Sequence, residues 1–127
     1  MAGNGVALAA VNETRQTVVS NAVSRADTFM TRLTGLLGRE QMAEGESLWI
    51  VPCRGIHTMG MRFAIDALFL DKEHRVVAMR EKMSPWRSTR FVQGAVSVLE
   101  VPSGMAGRAR VSVGDQIAFV ESQEESR

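Results

Sequence analysis

The side chains able to carry chemistry fall into a few groupings. Cys53, His57 and Asp66 supply a thiol, an imidazole and a carboxylate, the parts of a nucleophile, a base and an orienting group. Their spacing gives this trio little support. Pro52, Gly55 and Gly60 oppose a helix that would stack Cys53 over His57. An extended segment would set the two roughly 13 Å apart. Cys53, His57, Met59 and Met61 together offer the thiolate, imidazole and thioether groups that Cu(I) prefers. An M-x-M pair serves equally as core filler, and no metal or other cofactor is expected. A structural zinc site usually needs four Cys or His ligands, whereas Cys53, His57 and His74 are all the chain has.

Two carboxylates stand inside apolar strands. Asp66 shares strand parity with Leu68 and Leu70, and Glu100 with Val96 and Val98. A carboxylate so placed is either at a strand end facing water or buried and paired. Asp66 and Glu100 could form a catalytic pair with separated pKa values. The reading preferred here is a buried structural network in which Arg32 pairs with Asp66 or Glu100.

The segment "MSPWRSTRF" interleaves Trp86 and Phe91 with Arg87 and Arg90. From Arg75 to Arg110 there are seven Arg or Lys against two Glu. Basic and aromatic groups in alternation suit an anionic ligand or a nucleic acid strand. No G-x-G-x-x-G, P-loop or G-x-S-x-G spacing occurs, so nucleotide cofactors and ordinary serine hydrolysis have no support.

The positioning elements are short. A chain of 127 residues, 45% hydrophobic, fits a single domain with a real core. With no Tyr and eight Met, packing falls to small, aliphatic and thioether side chains. Strands are expected at "ALAAVN", "TVVSNAVS", "SLWIVP", "FAIDALFL", "RVVAMRE", "AVSVLEV" and "QIAFV", with "DKEH" as a hairpin turn. One amphipathic helix is expected at about 27–37, capped by Asp27 and closed near Gly38. The ordered core should run from about 7 to 120, with frayed ends. The fold is therefore mainly β, a single jelly-roll-like sandwich or barrel with one short helix.

The net charge of +1 is too small to imply nucleic acid by itself. One cysteine rules out an intramolecular disulfide and fits a reducing compartment. No stretch approaches the roughly 20 apolar residues of a membrane helix. "MAGNGVALAAVNETRQ" lacks the basic start of a secretory signal. A cytoplasmic protein with no membrane partner is expected.

The segments "RLTGLLGRE", "HTMGMRFAIDALFLD", "VLEVPSG" and "VSVGDQI" follow one another in this order. Together they resemble the small bacterial and archaeal family called domain of unknown function family 192, over about Ala26 to Phe119. The resemblance implies a compact, mainly β, jelly-roll-like domain and no assigned reaction, and a bacterial source is the matching expectation. It covers Arg32, Asp66 and Glu100. Another branch of the family carries Trp-Met-x-Asn-Thr at the place of His57 to Met61, which favours stacking or packing there over proton transfer. Asp66 matches in both branches.

The sequence thus describes an uncharacterised binding or accessory module. Its surface for a small ligand or protein partner is expected near His57, Thr58, Met61 and Trp86, with Arg87 and Arg90. The alternative is a small enzyme using Asp66 with Glu100, or Cys53 with His57.

Overall fold

Alternating apolar residues bury one face of a strand, while near-continuous apolar runs such as 65–70 and 97–102 bury both, and one curled sheet accommodates the two patterns. The computed structural model describes residues 8–26 and 41–122. The helix expected at 27–37, and Arg32 with it, lies outside the described residues. In chain order the strands are β1 (Leu8–Asn12), β2 (Thr17–Ala26), β3 (Glu46–Ile50), β4 (Ile65–Leu70), β5 (Val76–Met83), β6 (Ser97–Pro102) and β7 (Ile117–Glu121). A four-residue helix, α1 (Met105–Arg108), lies between β6 and β7. The sheet order is β5-β4-β6-β3-β2-β1-β7. Neighbours are antiparallel except β2 and β3. The result is a curled half-barrel, so of the sandwich and barrel alternatives the sheet follows the barrel.

Strand parity divides the core in two. Leu48, Ile50, Ile65, Ala67, Phe69 and Val98 face one cluster, which the loop residues Ile56, Met61 and Ala95 complete. Trp49, Leu68, Leu70, Leu99 and Val101 face the other, closed by Ala106 and Ala109 of the α1 region. Trp49 stacks on Phe119 at 3.8 Å between ring centroids, and its indole N–H donates to Ser97 Oγ at 3.0 Å. The hydrogen bond satisfies the polar atom that burial would otherwise strand.

The half-barrel nearly closes at one end. The turn after β4 is fixed by Asp71, whose Oδ1 accepts from the N–H of Glu73 and of Arg75, both at 2.9 Å. It then meets the start of β7. Val76 N–H donates to Asp115 O (2.9 Å), Gly114 N–H to Val76 O (2.8 Å) and Ile117 N–H to His74 O (3.0 Å). Asp115 anchors this seam. Its Oδ2 accepts from Asn12 Nδ2 (2.9 Å), Ser112 N–H (2.9 Å) and Arg15 Nε (3.2 Å).

Burial pushes the Asp115 pKa up. The hydrogen bonds from Asn12, Ser112 and Arg15, with the Arg15 charge, outweigh that, and the carboxyl titrates below the ordinary aspartate range. A depressed folded pKa gives stability that is fully present above the unfolded value of about 3.9 and lost as pH falls through the folded one. Urea melts of the parent and of Asp115→Asn should differ most at neutral pH. The gap should narrow as pH drops below about 4. A gap that does not change with pH would show that Asp115 is not held ionised by this seam.

Candidate functional site

Two loops, 51–64 and 84–96, cover one face of the sheet and pair irregularly with each other. Cys53 N–H donates to Val96 O (2.8 Å), Val92 N–H to Arg54 O (2.8 Å), Thr89 N–H to Ile56 O (2.9 Å) and Thr58 N–H to Arg87 O (2.8 Å). His57 and Ser88 form an isolated antiparallel bridge. Gly55 permits this close approach, because a Cβ there would lie 3.1 Å from Arg90 O and from the Phe91 ring.

Thr58 is the clasp between the loops. It is fully buried. Its hydroxyl donates to Ser84 O at 2.7 Å and accepts from Arg87 N–H at 2.9 Å. Its carbonyl accepts from Trp86 N–H (3.0 Å) and Met61 N–H (3.1 Å). The residue so held, Trp86, has φ 67 and is 67% exposed. A bulky side chain with positive φ is a strained exception. Here the strain presents an indole to solvent instead of packing it.

Phe91, 77% exposed, and Met59, 45% exposed, stand on the same two paired loops. The Arg54 guanidinium lies 5.7 Å from the centre of the Phe91 ring. Arg54, Arg62, Arg87 and Arg90 are exposed on the two loops, and neither loop contains an Asp or Glu. His57 is half-buried, and its Nδ1 accepts from Met59 N–H at 3.2 Å.

The other expected groupings come apart. Met61 is buried in the core and Thr58 is enclosed by the clasp, so neither contributes a side chain to the surface as expected. Met59 is exposed while Met61 is buried, so the pair does not converge on one ion. The Cys53 thiol donates to Gly55 O at 3.1 Å. Cys53 packs against the cluster on the loop-covered face, whereas Asp66 shares the parity of Leu68 and Leu70 on the opposite face. A relay from Cys53 through His57 to Asp66 is therefore not formed.

The two carboxylates are likewise separated. Asp66 stands opposite Val101, and Glu100 opposite Ala67. An offset of one residue between β4 and β6 sends the side chains to opposite faces of the sheet. Asp66 and Glu100 thus face opposite sides of the sheet and do not converge on one pocket. Asp66 is fully buried and held by main-chain donors. Its Oδ1 accepts from Lys82 N–H (2.7 Å), and its Oδ2 from Gly104 N–H and Ala106 N–H (both 3.0 Å). Three main-chain amides stand at Asp66 where a cation was expected, and Arg32, the cation expected for Asp66 or Glu100, lies outside the described residues.

The Asp66 amides come from special backbone. β5 carries an extra residue opposite Asp66, since Ile65 pairs with Met83 and Ala67 with Arg80. Lys82 in this bulge has φ 53, and Gly104 before α1 has φ 93. Trp86, Arg87 and Arg90 are exposed, as are Arg54 and Met59, which were not among the expected surface residues. The legible signal was the absence of carboxylates from both loops.

A curled single-sheet domain with a cationic, aromatic loop surface defines the kind of protein. The family model of DUF192, described as an uncharacterized ACR, matches residues 10–119, and the chain belongs to this family. A UPF0127 protein of Thermococcus sibiricus is 30% identical over 121 residues, covering 91% of this chain and 77% of that one. A UPF0127 protein of Pyrococcus abyssi is 31% identical over 116 residues, covering 87% and 96%. These relatives are archaeal and lend no support to a bacterial source.

Among solved structures, a protein of unknown function from Novosphingobium aromaticivorans has a TM-score of 0.74 at 17% identity, covering 93% of this chain and 89% of that one. A candidate transcription regulator from Sinorhizobium meliloti has a TM-score of 0.72 at 20% identity, covering 92% and 98%. At these identities the likeness is one of fold. No helix among the described residues is long and apolar enough to cross a membrane.

The geometry separates structural from presented residues by their stability effects. Asp66→Ala strands three main-chain N–H groups and should lower stability by on the order of 3 kcal/mol in urea melts. Asp66→Asn keeps one oxygen for Gly104 and Ala106 but sets an amide against Lys82 N–H, and should lose about 1–2 kcal/mol. A stable Asp66→Ala protein would contradict this role. At Trp86 the expectation reverses. Trp86→Gly relieves the positive φ and should leave stability within about 1 kcal/mol of the parent, on the stabilising side. A larger loss would mean that the indole packs for stability and is not held out for contact.

Proposed function

We propose that this protein is a binding module that captures an anionic partner on the surface formed by Met59, Trp86, Phe91, Arg54, Arg87 and Arg90. The observation that carries this reading is charge segregation. The paired loops hold four arginines and no carboxylate, around an indole kept exposed by strained backbone. Arginine forks recognise phosphate and carboxylate in bidentate fashion, and exposed rings add contact area at little entropic cost. Large exposed apolar side chains beside such charges mark interaction surfaces. Clasp hydrogen bonds hold the loops before any partner arrives, so little ordering is needed on binding.

The catalytic alternative has weaker support, because Asp66 is saturated by backbone donors and lies on the other face from Glu100. A single domain working in the cytoplasm suits the lone Cys53, which a reducing compartment keeps as a thiol.

Heparin chromatography tests the reading. The parent should be retained at low ionic strength and released as salt rises. The triple variant Arg54→Ala, Arg87→Ala, Arg90→Ala should elute clearly earlier with an unchanged melting temperature. A parent protein in the flow-through would end the anion-binding proposal.

A further inference from the structure

We infer that the anionic partner is a single-stranded nucleic acid, whose bases stack on Trp86 and Phe91 while Arg54, Arg87 and Arg90 hold the phosphates. This rests on the reading of the paired loops as an anion-binding surface. The rings protrude, at 67% and 77% exposure, where a peptide groove would recess them. Arg54 lies over the Phe91 ring at 5.7 Å, and Arg87 and Arg90 are the chain neighbours of Trp86 and Phe91. A single strand offers the matching alternation of one flat ring and one charge per nucleotide.

Insertion into a lipid surface fits the same residues less well. The polar Ser88 and the two arginines stand exposed between the rings, so burying both rings in hydrocarbon would carry the charges with them. Trp86 and Phe91 are five positions apart, a reach of at most about 18 Å. That span accommodates only a few nucleotides, so the site reads a short stretch by stacking and carries little sequence preference. Trp49 is buried and stacked on Phe119, which leaves Trp86 as the indole able to report binding.

The test compares two strands of equal charge: an oligothymidylate of about a dozen nucleotides and an abasic strand with the same number of phosphates. The full-length protein is titrated with each, following Trp fluorescence and anisotropy of a labelled strand. The expected result is roughly tenfold tighter binding of oligothymidylate, with quenching of Trp86 emission. Trp86→Ala and Phe91→Ala should each bring oligothymidylate towards the abasic level. The pair Arg87→Ala, Arg90→Ala should reduce the slope of log affinity against log salt by roughly 1.4.

Equal affinity for the two strands would overturn the inference, since phosphate alone would then be recognised. So would a protein that ignores both strands and binds phosphatidylserine vesicles instead. In either case retention on heparin stands as a separate result, so failure of the nucleic acid assignment is distinguishable from failure of anion binding.

Discussion

The geometry of the presented surface depends on the buried carboxylate of Asp66. It sits in β4 with no exposure, in a strand that is otherwise apolar, and it gathers three N–H groups that no regular ladder would satisfy. A buried carboxylate without such donors would be strongly unfavourable, and the same donors without it would be orphans. Each therefore requires the other. Lys82 N–H points inward because the β5 bulge turns its backbone to φ 53. From that bulge the chain passes to buried Met83 and then to Ser84, whose carbonyl receives the Thr58 hydroxyl. The path from a core carboxylate to an exposed indole thus runs through the Lys82 hydrogen bond, a short stretch of chain and the hydrogen bonds of Thr58.

Positive φ at Trp86 costs on the order of 1–3 kcal/mol and persists only where its surroundings impose it. Thr58 supplies that constraint through contacts to Ser84, Trp86 and Arg87. At about 1 kcal/mol net for each hydrogen bond, these contacts are comparable to the strain. The balance explains why Thr58 is wholly buried in a segment whose neighbours His57 and Met59 are not. It also separates two roles in one short stretch: Thr58 and Met61 hold the loop down, while Met59 and Trp86 face out.

The strands were legible because each carries apolar residues at period two between turn residues, a purely local signal. The turn "DKEH" was legible for the same reason, since Asp71 bonds its own neighbours. The short helix α1 was not, because four residues cannot display a helical period. Within the candidate site, parity correctly placed Asp66 with Leu68 and Glu100 with Val98, but it could not relate one strand to another. The register of β4 on β6 is a long-range property, and its single-residue offset moved the two carboxylates to opposite faces. For Asp66 the sequence suggested a cation, because side chains are visible in a sequence and main-chain amides are not. The bulge and the left-handed Gly104 that supply those amides arise from tertiary closure.

Net charge says nothing of where charges sit. Fifteen basic and fourteen acidic residues nearly cancel over the chain. Charges separated by more than a Debye length, about 8 Å at physiological ionic strength, scarcely feel one another. The paired loops therefore carry the local set Arg54, Arg62, Arg87 and Arg90, whatever the sum over the chain. Three aspartates are held by internal donors elsewhere: Asp115 on the seam with β7, Asp71 on its own turn, Asp66 on main-chain amides. Carboxylates committed to internal donors cannot neutralise a distant loop. The loop surface is cationic because residues 51–64 and 84–96 contain arginines and no Asp or Glu.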